Sequence, residues 1–191
     1  IALNNTGTIA YVVNDSNNTI SACPIAGDGT FESCTTTNAG SSSSLSYIAI
    51  NNAKNKVYVT DNDLNTIWEC PINGDGTLGA CAASGSVPNA LGITINNIES
   101  TVYITSLNSS VYTCTINSNG SLGSCNNTIS PTGLSYPMGI FINNTRSMAY
   151  IADNIYGAVS SCPLDNNGNF STPCSTNYIV DYPISILLLN N

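Results

Sequence analysis

The chain has 191 residues, 42% hydrophobic and only 7% charged, with three Lys+Arg against eleven Asp+Glu, eight Cys and no His. A net charge of −8 argues against nucleic acid and anionic membranes as partners. The lack of His removes the imidazole general base, the His metal ligand and the Ser-His-Asp triad, while the apolar fraction is enough for a packed core rather than a disordered chain.

The elements recur. An alternating apolar run, strand A, opens each unit: Ile1-Ala2-Leu3, Ile48-Ala49-Ile50, Ile93-Thr94-Ile95, Ile140-Phe141-Ile142 and finally Ile186-Leu187-Leu188-Leu189. An Asn-Asn pair follows each run, at Asn4-Asn5, Asn51-Asn52, Asn96-Asn97, Asn143-Asn144 and Asn190-Asn191, with steps of 47, 45, 47 and 47 residues. Strand B comes next, rich in β-branched residues and carrying a Tyr at one fixed place: Tyr11, Tyr58, Tyr103 and Tyr150. It ends in Asp or Asn, at Asn14-Asp15, Asp61 and Asp153, whose side chains close turns on their own backbone.

Strand C leads to the first Cys of each unit, and Asp28-Gly29, Asp75-Gly76, Asn119-Gly120 and Asn167-Gly168 then predict two-residue type I′ hairpins into strand D. Cys23 and Cys34, Cys70 and Cys81, and Cys114 and Cys125 stand symmetrically about their turns. Cys162 and Cys174 are one residue out of step, which predicts a bulge near Pro173. Counting from an ideal turn places each pair at a hydrogen-bonded site with Cα atoms ~5.5 Å apart, within disulfide reach. A four-cysteine zinc site or an iron–sulfur cluster fits poorly, because ligand pairs use two to four intervening residues and these have ten or eleven. Four local disulfides imply a secreted, periplasmic or cell-surface protein, each bridge contributing up to ~3 kcal/mol in the chain-entropy model.

Four antiparallel strands in about 47 residues, repeated, describe blades of an all-β, propeller-like domain: 1–45, 46–90, 91–137 and 138–182, with one unmatched C-terminal strand at 183–191. Tyr58-Val59-Thr60-Asp61 with Asn65-Thr66-Ile67, matched by Tyr11-Val12-Val13-Asn14 with Asn18-Thr19-Ile20, resembles the YVTN repeat of bacterial β-propellers, related to NHL and lactonase-like propellers. The Cys-Pro-Ile…Asp-Gly-Thr…Cys hairpins resemble a cysteine-bearing branch of it. That resemblance implies surface or secreted binding and scaffold proteins, with lactonases among the relatives. A lactonase-like ring has about seven blades, so four are a departure.

Few residues invite chemistry. Asp61 and Asp63 form a candidate carboxylate pair or Ca²⁺ site, Asp28 and Asp75 lie in tight turns, and Lys54 and Lys56 read as a solvated A–B turn. No catalytic residue, metal ligand or cofactor is expected. Trp68 and Tyr112 occupy one variable position in strand C and are candidate contacts for a glycan or protein. Sequons at Asn4, Asn14, Asn17, Asn108, Asn119, Asn126, Asn143 and Asn169 are candidate glycosylation sites, although 29 Asn among 25 Ser and 20 Thr produce about that number by composition. Ser41 to Ser44 read as a flexible link.

No stretch approaches the ~18 apolar residues of a membrane span, and Ile1 opens directly in a strand-like run, so any signal peptide is expected to have been removed or not included. The strand Ile184, Ile186, Leu187, Leu188 and Leu189 has no B, C or D of its own and, left bare, is an aggregation edge. It is covered by further blades, or it docks on another copy in head-to-tail, filament-forming addition. The first reading is therefore a non-enzymatic secreted or surface structural protein that self-associates through this strand. The alternatives are a propeller binding module for glycans or proteins and, third, a lactonase-like enzyme drawing on Asp15, Asp61 and Asp153.

Overall fold

A computed structural model describes the chain except for residues 41–43, 54, 97, 130–133, 172, 179–180 and 187–191. Among the described residues, sixteen strands form four antiparallel sheets of four. The first contains β1 (Ala2–Leu3), β2 (Ile9–Asn14), β3 (Thr19–Pro24) and β4 (Thr35–Asn38) in that order, with a 3-10 turn at Asp15–Asn17. The second runs β5 (Leu45–Asn51), β6 (Lys56–Asp61), β7 (Thr66–Pro71) and β8 (Ala82–Ser86). The third runs β9 (Ala90–Ile95), β10 (Thr101–Ser106), β11 (Ser110–Ile116) and β12 (Leu122–Ile129). The fourth runs β13 (Pro137–Asn143), β14 (Met148–Asp153), β15 (Ala158–Pro163) and β16 (Ser175–Tyr178). Each sheet is one blade of a propeller-like array, joined to the next by a D–A link.

Packing runs between consecutive blades, because both faces of a blade are apolar at alternate positions. Tyr11, Ile20 and Ala22 of the first blade meet Ile48, Val57, Val59 and Leu78 of the second. Tyr58 and Ile67 meet Ile93, Val102, Ile104 and Leu122 in the same way, and Tyr103 and Val111 meet Ile140, Ala149 and Ile151. Three seams of one design hold the core. The A–B turns also share a device: Gly7, Asn55, Glu99 and Ser147, each three or four residues past the first Asn of its pair, adopt positive φ.

The four bridges join Cys23–Cys34, Cys70–Cys81, Cys114–Cys125 and Cys162–Cys174. Their hairpins differ from the expected two-residue turn. Gly29 has φ +86° and its N–H donates to the Ala26 carbonyl, while the Ala26 N–H donates to Thr30, so the loop is Gly27-Asp28-Gly29. This is a type I turn closed by a left-handed glycine, and Asp28 itself needs no positive φ. The Asp28 carboxylate instead accepts from the Thr30 N–H at 3.0 Å and hydroxyl at 2.7 Å, as Asp75 does from Thr77.

The longer loop shifts the register by one residue, and a bulge between Phe31 and Cys34 shifts it back. The cysteines therefore still face each other, but their Cα atoms are 4.1 to 4.3 Å apart instead of ~5.5 Å. In the fourth blade the pairing moves by two residues between Leu164–Phe170 and Ser161–Ser175, which places the additional residue on the strand D side near Pro173.

Candidate functional site

Strand B ties one blade to the next. Its Tyr hydroxyl crosses the seam to the glycine carbonyl of the following blade's C–D turn: Tyr11 to Gly76 at 2.9 Å, Tyr58 to Gly120 at 2.5 Å and Tyr103 to Gly168 at 2.6 Å. Burial is the main cause that raises all three hydroxyl pKa values, Tyr103 to about 12, and Asp75 beside Tyr11 and Asp165 beside Tyr103 add to it.

Two residues on, the Thr hydroxyl donates to the next blade's inner strand, Thr60 to the Leu91 carbonyl at 2.6 Å and Thr105 to Met138 at 2.7 Å. The same hydroxyls accept from their own inner strands, at the Tyr47 and Gly92 N–H groups. Val13 and Ala152 hold this position in the first and last blades and carry no hydroxyl. Gly92 is required here, because a Cβ would overlap the Met138 carbonyl.

The strand-end carboxylates lock turns. Asp61 is buried and accepts from the Leu64 N–H at 3.0 Å and the Trp68 indole N–H at 2.9 Å. Asp153, equally buried, accepts from the N–H groups of Ser135, Tyr136 and Tyr156. Asp15 does not share their position: Asn14 is the equivalent residue, its amide donating to Thr19 and Ser21, while Asp15 is exposed in the 3-10 turn. Asp63 is exposed, and among the described residues no group of three or more His, Cys, Asp or Glu is placed to hold a metal.

Trp68 is half-buried against Gly40 with its N–H engaged by Asp61, and Tyr112 is half-buried beside the second seam. Lys56 pairs with Glu69 at 2.7 Å, and Lys54 lies outside the described residues. Of the sequons, Asn4, Asn14 and Asn169 use their amide N–H groups in local hydrogen bonds, to Thr8, to Thr19 and Ser21, and to Asp165. Asn17, Asn108, Asn119 and Asn143 accept through their carbonyls from Thr19, Asn89, Ser121 and Arg146. Asn126 lies on β12.

Of the C-terminal strand residues, Leu187, Leu188 and Leu189 lie outside the described residues. Ile184 and Ile186 belong to a segment that crosses β13 at Gly139, where a Cβ would come within 2.8 Å of the Ser185 Cα. The Ile184 carbonyl accepts from the Tyr47 hydroxyl at 3.0 Å. Ser185 thus stands on Gly139 as Met138 stands on Gly92, one period earlier. The segment occupies the place of a next inner strand.

The two ends of the array follow from the seams. On the leading face of the first blade, Ile1, Leu3 and Phe31 are 75, 53 and 61% exposed, whereas the equivalents of Phe31, Leu78 and Leu122, are each 7% exposed. On the trailing face of the fourth blade, Tyr150 and Val159 are half-buried, whereas their equivalents Tyr58 and Ile67 are fully buried. Periodicity alone did not reveal these faces; the fixed Tyr and the apolar residue two positions after each turn Gly were their signal.

No family model matches the chain, and no curated protein matches it in sequence. Solved structures do. A periplasmic gluconolactonase of Pseudomonas aeruginosa aligns with a TM-score of 0.76 at 12% identity, over 95% of this chain and 56% of its own. A 6-phosphogluconolactonase-like protein of Bacteroides fragilis aligns at 0.74 and 16% identity, over 91% of this chain and 55% of its own. The fold is that of a lactonase-like β-propeller. A chain of a nidogen/laminin complex has the same fold, with a TM-score of 0.65 and 15% identity over 94% of this chain and 68% of its own. The chain therefore spans little more than half the length of the two lactonase-like propellers. No helix among the described residues is long and apolar enough to cross a membrane, and four disulfides are those of an oxidising extracellular or periplasmic setting.

Proposed function

We propose that the chain is a non-enzymatic propeller module of the cell exterior that acts as a structural scaffold and self-associates. The observation that carries this reading is the use of the strand-end carboxylates: Asp61 and Asp153 are buried and hydrogen-bonded to backbone N–H groups or to Trp68. Metal-assisted lactone hydrolysis needs acidic or neutral oxygen ligands free to bind a cation and to leave a site open for water, and these carboxylates serve turns instead. The placement of Ser185 on Gly139 favours assembly at the C-terminal side, with Ile184 and Ile186 at the contact and Leu187, Leu188 and Leu189 following in sequence.

A second reading, a module that binds glycans or proteins, has support from the nidogen/laminin likeness and from half-exposed Tyr112. The test is hydrolysis of gluconolactone-type lactones with Ca²⁺, Mg²⁺ or Mn²⁺ supplied. The expected result is the spontaneous rate in every case, and saturable metal-dependent turnover overturns the non-enzymatic reading. Saturable binding on a glycan array would favour the second reading.

A further inference from the structure

We infer that the trailing face of the fourth blade docks the leading face of a second copy's first blade, repeating the seam that the chain builds three times within itself. Each internal seam places a Tyr hydroxyl on the next blade's turn glycine. That leaves one unused donor and one unused acceptor at opposite ends. Among the described residues the Tyr150 hydroxyl has no hydrogen-bond partner, and Gly29 is the one turn glycine with no Tyr on its carbonyl. Gly29 is exposed, while Gly76 and Gly120 are buried beneath the tyrosines that reach them.

The apolar surfaces complement each other in the same register. Phe31 follows Gly29 by two residues, as Leu78, Leu122 and Phe170 follow their glycines, and Phe170 and Tyr103 stand edge-to-face with 5.7 Å between ring centroids. Tyr150 is the corresponding ring of the trailing face, so Phe31 of a second copy would meet it with the geometry seen at Phe170.

The contact is heterologous, using different surfaces on the two copies. Two such contacts between two chains close eight blades, inside the four to eight that propellers use. This inference rests on the scaffold reading for its role, but the two fail separately: lactone turnover removes the role, and a mass measurement removes the contact.

The experiment is sedimentation equilibrium of the 191-residue chain from about 1 to 100 µM, beside Phe31→Glu and Tyr150→Glu, with far-UV circular dichroism and thermal melting to verify that both variants fold. Phe31 is exposed in the single chain, so its substitution leaves the blade intact. The expected mass is twice 19.8 kDa, with each variant weakening association at least about 30-fold. Mixing the two variants restores a single-contact dimer, since one retains a good trailing face and the other a good leading face. Open polymers that Phe31→Glu disperses also support the contact. Monomer throughout, association that survives Phe31→Glu, or no recovery on mixing overturns it.

Discussion

The Tyr58 hydroxyl donates to the Gly120 carbonyl at 2.5 Å, across the boundary between the second and third blades. Both groups are buried, so a ring without its hydroxyl leaves a carbonyl with no replacement from water. Tyr58→Phe is expected to cost about 1–3 kcal/mol, read from the urea midpoint at unchanged slope. Tyr150→Phe, at a protein concentration where the chain is monomeric, is expected to fall within about 0.5 kcal/mol of the parent, because that hydroxyl has no partner among the described residues to lose. Equal costs at the two positions would mean that the seam bond contributes nothing.

Alkaline pH tests the same bonds. The folded-state pKa of Tyr103 is raised from 10.0 to about 12, chiefly by burial, and those of Tyr11 and Tyr58 move the same way. A raised pKa means that the unfolded chain loses the proton first. The stabilisation is complete below pH 10 and is lost as pH rises from about 10 to about 12. Unfolding free energy should fall across that window, with tyrosinate absorbance rising late and together with unfolding. Tyr103→Phe should flatten the slope.

Gly92 and Gly139 stand at equivalent positions but have unequal neighbours. A methyl group on Gly92 overlaps the Met138 carbonyl in the middle of a seam, so Gly92→Ala is expected to destabilise the fold by about 1–3 kcal/mol. On Gly139 the nearest atoms to such a methyl group all belong to the segment at Ile184 to Ile186. Gly139→Ala should leave the global midpoint near that of the parent while speeding hydrogen exchange at Ser185 and Ile186.

Removing one bridge, as Cys70→Ser with Cys81→Ser, is expected to cost no more than ~3 kcal/mol. The loss should be smaller than that ceiling, because the Asn73 to Thr77 turn is held by its own bonds: the Gly76 N–H to the Asn73 carbonyl, and Thr77 to the Asp75 carboxylate. The midpoint of urea unfolding checks this. A cost well above ~3 kcal/mol would show that the bridge supports more than its own hairpin.

Much of this molecule could be read from its repeat. The 47-residue period placed the four sheets, because a pattern of alternating apolar runs separated by turn residues admits few other arrangements. The C–D hairpins were legible as hairpins but not as turns: Asp28-Gly29 satisfies a two-residue loop on paper, and only the Asp28 to Thr30 bonds select the three-residue form. Asp15 was misaligned because the strand end is ambiguous by one residue until Asn14 is seen to carry the strand-end bonds. The purpose of the fixed tyrosine was not legible at all, since its partner lies 62 to 65 residues away and belongs to another blade.

The three seams are not fastened alike. Thr60 and Thr105 fasten the inner strands at the second and third seams, while Val13 leaves the first seam without that fastening. Where each repeat contacts only its neighbours, a stack comes apart at its weakest joint and not all at once. The molecule thus carries a built-in order of disassembly, in which the first blade peels away while the other three remain clasped, and a force-extension trace should release it alone before the rest gives way.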